Sequence, residues 1–424
     1  MPIDWLFRNP SADKQAAYSA AERDVLSLQR LAEAETALAQ CPAHRATPLY
    51  TLPALASELD IGGVLFKDES HRFGFGAFKA LGGVYALGRQ LQKIIQVRTG
   101  VAPSLNEIVS GRHAAIVSGV TATAASSGNH GRAVAAGARL FGSRCMIFLP
   151  AFTSPEKEAL IRLRGADVVR VDGDYDTALE QCRRQADRQG WLLVSDTSWP
   201  GYNEIPRDVM QGYGVIAMEI DRQLPVIVAP GRPSHVMLQA GVGGLAAAVA
   251  GTFRERWHDR RPDVVVVEPE TADCFLQTAR AGRPAPASGD AATAMGGLAC
   301  REISPDAWTI LRTAADWFCT VREQDIGAAL RRLAAPGGDD RPLAVGPSGI
   351  AGLMGLIRIA GNDACRHAVR LDRRSIVVLI GSEGAAGDRQ YFKDATGHDA
   401  AAIVANGLAW DVRFATEQLV AGES

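Results

Sequence analysis

Lysine is uncommon among apolar and small residues, yet Lys79 stands in the run Phe73-Gly74-Phe75-Gly76-Ala77-Phe78-Lys79-Ala80-Leu81-Gly82-Gly83. Burial disfavours the ammonium, and a free amine can form a Schiff base with a carbonyl, so this is a setting for a nucleophilic lysine. A lysine snorkelling from a helix would give the same pattern. A second run, Thr123-Ala124-Ala125-Ser126-Ser127-Gly128-Asn129-His130-Gly131, puts hydroxyls and backbone N–H groups where an apolar strand turns into a helix. Such a turn suits a carboxylate or a phenolate, although a plain capped helix start reads similarly. A third run, Gln239-Ala240-Gly241-Val242-Gly243-Gly244-Leu245-Ala246, passes from a strand through glycines into an alanine-rich helix. Glycines let the backbone approach a phosphate, and the helix start offers unpaired N–H groups. The same residues fit G-x-G-x-x-A, and Glu268 closes the next strand, which is the dinucleotide-binding pattern. This loop alone leaves both readings open.

The three runs are specific in combination. A lysine in F-K-x-L-G-G, then S-S-G-N-H-G, then a G-V-G-G loop resembles the order found in fold type II (tryptophan-synthase-like) pyridoxal-phosphate enzymes, over roughly Val64 to Gly387. A nicotinamide-dependent oxidoreductase needs neither the lysine nor the S-S-G-N-H-G turn. Four further stretches narrow the resemblance to diaminopropionate ammonia-lyases. They are Lys67-Asp68-Glu69-Ser70-His71-Arg72-Phe73, Ser195-Asp196-Thr197-Ser198-Trp199-Pro200-Gly201-Tyr202, Met210-Gln211-Gly212-Tyr213 and Met295-Gly296-Gly297-Leu298-Ala299-Cys300.

This resemblance implies an α/β protein of two open domains with mostly parallel sheets and pyridoxal 5′-phosphate in the cleft between them. Residues 1–84 and 200–424 would form the large cofactor-binding domain and 85–199 the small substrate-side domain. The implied activity is a carbon–nitrogen lyase reaction, α,β-elimination of ammonia from 2,3-diaminopropionate to give pyruvate and ammonia. Lys79 would hold the cofactor and act as general base at Cα. Asn129 would bond the ring O3′, and Gly241, Val242, Gly243 and Gly244 would hold the phosphate. Ser382 would face the pyridine nitrogen, where a hydroxyl does not force ring protonation and so suits β-elimination over transamination. Backbone N–H groups of Ser126 to His130 would hold the substrate carboxylate. Asp196 would meet the β-ammonium, with Tyr175 lining the same pocket.

One position departs from the family. Lyases acting on both enantiomers carry an aspartate immediately before Gly-Asn-His, and here that position is Ser127. Serine racemases and their dehydratase relatives place a serine there, on the face opposite the lysine. A serine is a weak base at its own pKa, so the expectation is a preference for the L-isomer or a changed substrate. The alternatives within the class are a lyase for a larger β-N-substituted alanine, for which Ser127 leaves room, and a serine or threonine dehydratase or racemase. Fold type II enzymes are usually homodimers, so one is expected here.

Strands alternating with helices must carry these residues. Apolar runs recur at Val64–Phe66, Ala115–Thr123, Met146–Leu149, Val168–Val171, Leu192–Val194, His235–Gln239, Val264–Val267 and Ile376–Ile380. Helical periodicity lies between them, as in Glu156–Arg164, Tyr175–Arg188 and Arg132–Leu140, which implies parallel βαβ units. Ser154-Pro155-Glu156 is a well-formed helix start and Gly165 a stop.

Composition adds exclusions. A net charge of -2 gives no reason to expect nucleic acid or an anionic membrane as partner. No apolar run is long enough for a membrane span, and the first residues lack the apolar core of a secretory signal, so a cytoplasmic protein is expected. The 7 cysteines are scattered without metal-ligand spacing, so no metal site is expected. Cys274 and Cys300 both fall near the expected active-site loops, which raises the hypothesis of a reversible disulfide between them.

Overall fold

Residues Asp263–Pro269 read DVVVVEP and are buried throughout, as a strand covered on both faces of a parallel sheet must be. The computed structural model describes residues 3–126, 128–227 and 232–409. Its strands are β1 (Leu6–Arg8), β2 (Leu49–Thr51), β3 (Gly63–Asp68), β4 (Thr121–Ala125), β5 (Arg144–Pro150), β6 (Asp167–Val171), β7 (Leu192–Leu193), β8 (His235–Gln239), β9 (Asp263–Pro269), β10 (Trp317–Val321) and β11 (Ile376–Gly381). They form a 7-stranded sheet of order β1-β10-β9-β8-β11-β3-β2 and a 4-stranded sheet of order β6-β5-β4-β7. The smaller sheet is parallel throughout. The larger one is parallel apart from its short edge strands β1 and β2. Among the described residues, no helix is long and apolar enough to cross a membrane.

Seven of the eight expected apolar runs lie on strands. The run at Ala115–Thr123 differs. It begins as the helical turn Ala114–Val117, and β4 starts only at Thr121. Ser118-Gly119 breaks the run, and alanines and an isoleucine before the break fit a helix as well as a strand. Three strands had no sequence signal. β1 and β2 are only three residues long, and β10 follows directly on a helical pattern that masks its start.

The helix Lys79–Thr99 joins the two sheets. It packs between the helix Asn129–Phe141, which follows β4, and the helix Glu204–Ile227. The contact is close because it is made through glycine. A Cβ on Gly82 would lie 2.6 Å from Val209 O, and one on Gly212 would lie 2.4 Å from Leu81 O.

The turn leading into that helix rests on buried charge. Arg72 donates from Nε to Glu69 Oε2 at 2.9 Å and from Nη1 to Glu219 Oε1 at 2.7 Å. Lys67 donates to Glu219 Oε2 at 2.7 Å. Two cations and two carboxylates thus balance where β3 meets the helix Glu204–Ile227. Gly384 N then donates to Gly76 O at 2.9 Å and Phe78 N to Ser382 O at 3.1 Å, which seats the start of the Lys79 helix beside the end of β11.

Candidate active site

The C-terminal ends of β4, β7, β8 and β11 open onto one cavity, the usual place for a ligand in an open parallel sheet. Lys79, Ser126, Asn129, His130, Tyr175, Asp196, Gly241, Val242, Gly243, Gly244 and Ser382 all line it. Ser127, the remaining expected site residue, lies outside the described residues.

The glycine loop follows β8. Gly243 has φ +92°, and a Cβ there would fall 2.2 Å from the Phe275 ring. A Cβ on Gly241 would fall 2.7 Å from Gly297 O. No larger residue fits either position. The helix Gly244–Trp257 begins here without a side-chain cap, so its first N–H groups and its positive end face the cavity. That cradle fits a phosphate. The acid required by the dinucleotide reading is not available, because Glu268 is fully buried and its two oxygens accept the N–H groups of Phe275 at 2.7 Å and Leu276 at 2.9 Å. It caps the helix Cys274–Ala281 from within the core.

Lys79 Nζ donates to Asp196 Oδ2 at 2.5 Å and lies 5.2 Å from the Phe78 ring centre and 5.6 Å from that of Tyr213. The sequence alone suggested an amine with a lowered pKa. Burial does act downward, but the Asp196 carboxylate outweighs it and the ammonium is stabilised overall. Asp196, conversely, is held below the usual carboxylate range: burial opposes the charge, and His130, protonated in the acidic range where Asp196 titrates, together with Lys79 more than offsets it. The two residues are a charged pair as long as Lys79 carries an ammonium. His130 faces the same carboxylate, with Nδ1 3.8 Å from Asp196 Oδ2. Its Nε2 lies 2.8 Å from Val194 O, a carbonyl that can only accept, so Nε2 carries the proton. Burial lowers its pKa, which keeps the ring neutral.

Asn129 has its amide fixed at both ends: Nδ2 donates to Glu383 Oε2 at 2.5 Å, and Oδ1 accepts from Arg132 Nη1 at 3.2 Å. Its second Nδ2 hydrogen can serve a phenolate oxygen. Ser382 Oγ accepts from Gln239 Nε2 at 2.9 Å, which leaves the hydroxyl hydrogen to donate to an unprotonated ring nitrogen. Tyr175 starts the helix Tyr175–Gln189, and burial raises its pKa so that it stays a neutral phenol.

Ser126 departs from expectation. Its N–H donates to Phe148 O at 3.0 Å, extending the β4–β5 ladder, so it is not offered to a ligand. Its hydroxyl accepts from Gly128 N at 3.0 Å and Gly131 N at 2.9 Å. Ser126 shapes the turn and caps Gly131, and the N–H groups left for a carboxylate are those of Asn129 and His130 at the start of the Asn129–Phe141 helix.

Sequence reasoning missed four cavity residues. Gln239 stands in the glycine run without a role, and Glu383, next to Ser382, was given none. Ser348 donates its N–H to Glu383 Oε1 at 3.1 Å, and Lys157 pairs with Asp388 at 2.8 Å across the cleft. Nothing in a single sequence marks Ser348 or Lys157, because their partners are distant along the chain. Cys274 and Cys300 carry free thiols on either side of Gly241. Burial pushes the Cys300 thiol up to about 12 and that of Cys274 upward as well, which disfavours the thiolate that oxidation requires. Among the described residues, no group of three or more His, Cys, Asp and Glu could hold a metal ion.

Residues 41–381 match the model of the pyridoxal-phosphate dependent enzyme family. The diaminopropionate ammonia-lyase of Salmonella typhimurium is 38% identical over 353 residues, 81% of this chain and 86% of that one. The holo crystal structure of diaminopropionate ammonia-lyase from Escherichia coli superposes with a TM-score of 0.83 at 30% identity, covering 92% of this chain and 95% of that one. The same E. coli enzyme, in complex with an aminoacrylate-PLP azomethine reaction intermediate, matches with a TM-score of 0.81 at 29% identity. A phosphate cradle, a lysine, a fixed amide and a neutral hydroxyl fit that cofactor. This chain therefore belongs to the pyridoxal-phosphate dependent enzyme family, as a fold type II member of its diaminopropionate ammonia-lyase group.

Proposed function

We propose that the protein eliminates ammonia from 2,3-diaminopropionate. With one water consumed, the products are pyruvate and two ammonia. The observation that carries this reading is the Lys79–Asp196 contact at 2.5 Å inside the cavity, which puts a base and an acceptor for a second cation side by side. Gly241, Val242, Gly243 and Gly244 would hold the cofactor phosphate, Asn129 its phenolate oxygen and Ser382 its ring nitrogen. When bound, pyridoxal phosphate withdraws electrons from the substrate Cα and makes its hydrogen acidic.

The chain's own groups do the rest. With the Lys79 nitrogen committed to the cofactor, Asp196 would be open to a second cation. Its carboxylate can then accept from the substrate's β-ammonium and keep the leaving nitrogen protonated. Lys79, as a free amine, would take the Cα proton. The start of the Asn129–Phe141 helix orients the substrate carboxylate, and His130, neutral and buried, lets no second cation compete for Asp196.

A lyase for a larger β-N-substituted alanine remains the second reading, favoured by Ser127 where an aspartate is the alternative. Comparing kcat/KM for L-2,3-diaminopropionate, its β-N-methyl derivative and L-serine decides between them. The proposal predicts that the unsubstituted diamine ranks first. A higher value for serine or for the methylated diamine would overturn it. We extend the reading to a cytoplasmic homodimer, which the resemblance and the unremarkable charge support.

A further inference from the structure

The helix Pro305–Ala314 starts at Ser304, a residue well suited to cap it, yet the Ser304 side chain makes no capping bond. The cap comes from another part of the chain: Asp306 N donates to Ser198 Oγ at 3.1 Å. The Ser304 hydroxyl is turned toward Ser198 instead. It accepts from Ser198 N at 3.1 Å, and the two hydroxyl oxygens lie 2.8 Å apart. Both serines are buried, and Ser304 N donates to Val242 O at 3.1 Å. A continuous run of hydrogen bonds therefore links the glycine loop to the segment that carries Asp196, two residues before Ser198.

The other end of that segment is held by Tyr202. Its hydroxyl donates to Leu193 O at 2.7 Å and accepts from Ser195 N at 3.0 Å. Trp199 and Tyr202 close a tight turn through Pro200 and Gly201, whose φ is +86°, and their rings stack at 4.1 Å. Asp196 thus sits between an anchor on the four-stranded sheet and an anchor on the glycine loop.

We propose that Ser198 and Ser304 are positioning residues that fix the Asp196 carboxylate relative to the glycine loop, and so relative to a cofactor held there. The inference rests on the reading of Asp196 as the acceptor for the departing ammonium. By local rules Ser304 would cap its own helix, and that capping bond is exchanged for a tie to the Asp196 segment. The attachment has other supports, since Asp306 also accepts from Asn203 Nδ2 and Arg207 Nη2, both at 3.0 Å. Removing one hydroxyl should shift the Asp196 segment without releasing it.

The test compares wild type, Ser304→Ala, Ser198→Ala and Asp196→Asn holoenzymes on L-2,3-diaminopropionate and on L-β-chloroalanine, whose chloride departs without a carboxylate partner. Each serine variant should lower kcat on the diamine about tenfold, the scale of one hydrogen bond. KM, cofactor absorbance and chloroalanine turnover should not change. Asp196→Asn should show the same selectivity with a larger loss. If Asp196→Asn is selective but the serine variants slow both substrates alike or neither, the positioning role is overturned and the role of Asp196 stands. If Asp196→Asn is not selective, the reading of Asp196 fails and this inference fails with it.

Discussion

Lys67 and Lys79 lie in one continuous motif, both removed from bulk water and both paired with a carboxylate, yet the structure uses them in opposite ways. Lys67 spends all three of its N–H donors, on Thr47 O at 2.7 Å, Glu219 Oε2 at 2.7 Å and Gln223 Oε1 at 3.0 Å. It sits with Arg72, Glu69 and Glu219 in a balanced group closed off from solvent. Lys79 gives one donor to Asp196 and otherwise faces two aromatic rings and the cavity. A lysine with every donor matched is a structural element. One with a single movable partner beside a cavity can change partners, and that is what chemistry there requires.

The sharpest way to break this comparison is to exchange the consequences. Lys79→Ala should reduce turnover by at least about a thousandfold, because base and cofactor anchor are lost together. It should also abolish the visible absorbance of the lysine-bound cofactor. Glu219→Gln should spare the chemistry: a buried cation pair left short of one charge costs about 3–5 kcal/mol in chemical unfolding, and kcat per bound cofactor should stay within about twofold. A catalytic collapse in Glu219→Gln at full cofactor occupancy would show that the two lysines are not separable.

Smaller effects refine the same division. Gly243→Ala would force a Cβ against Phe275 at φ +92° and should cost about 1–3 kcal/mol, read as weaker pyridoxal-phosphate affinity and a lower unfolding temperature. Normal cofactor affinity in that variant would mean that the glycine loop is not the phosphate cradle. Ser127→Asp should raise turnover of D-2,3-diaminopropionate by about tenfold or more, since a carboxylate is a far better base than a hydroxyl at neutral pH. An unchanged D-isomer rate would remove Ser127 as the source of stereochemical preference.

The wild-type sequence made the site legible where function depends on residue type at short range. Lys79 among small residues, the turn ending in Gly128-Asn129-His130 and the Gly241–Gly244 loop each announce themselves, and all three meet at one cavity. The long valine and isoleucine strands were legible for the same reason, since a strand buried on both faces cannot hide its composition. Pairings across the fold were not legible. The bond from Asn129 to Glu383 spans 254 residues, and the seat of the Lys67 network on Glu219 spans 152. The raised affinity of Lys79 for its proton could not be read either, because it depends on a carboxylate brought from Asp196 by a different sheet. The same limit applies to Ser126, whose role follows from the strand register against Phe148. The division into residues 85–199 and the remainder stays our proposal for the domain boundaries.

The most direct test of the account is the product balance with L-2,3-diaminopropionate, measured side by side for wild-type holoenzyme and Lys79→Ala. The account predicts that the wild type releases pyruvate with two equivalents of ammonia and that the variant releases neither above background. A cofactor-loaded wild type that leaves the diamine untouched, or a Lys79→Ala variant that still converts it, would contradict it.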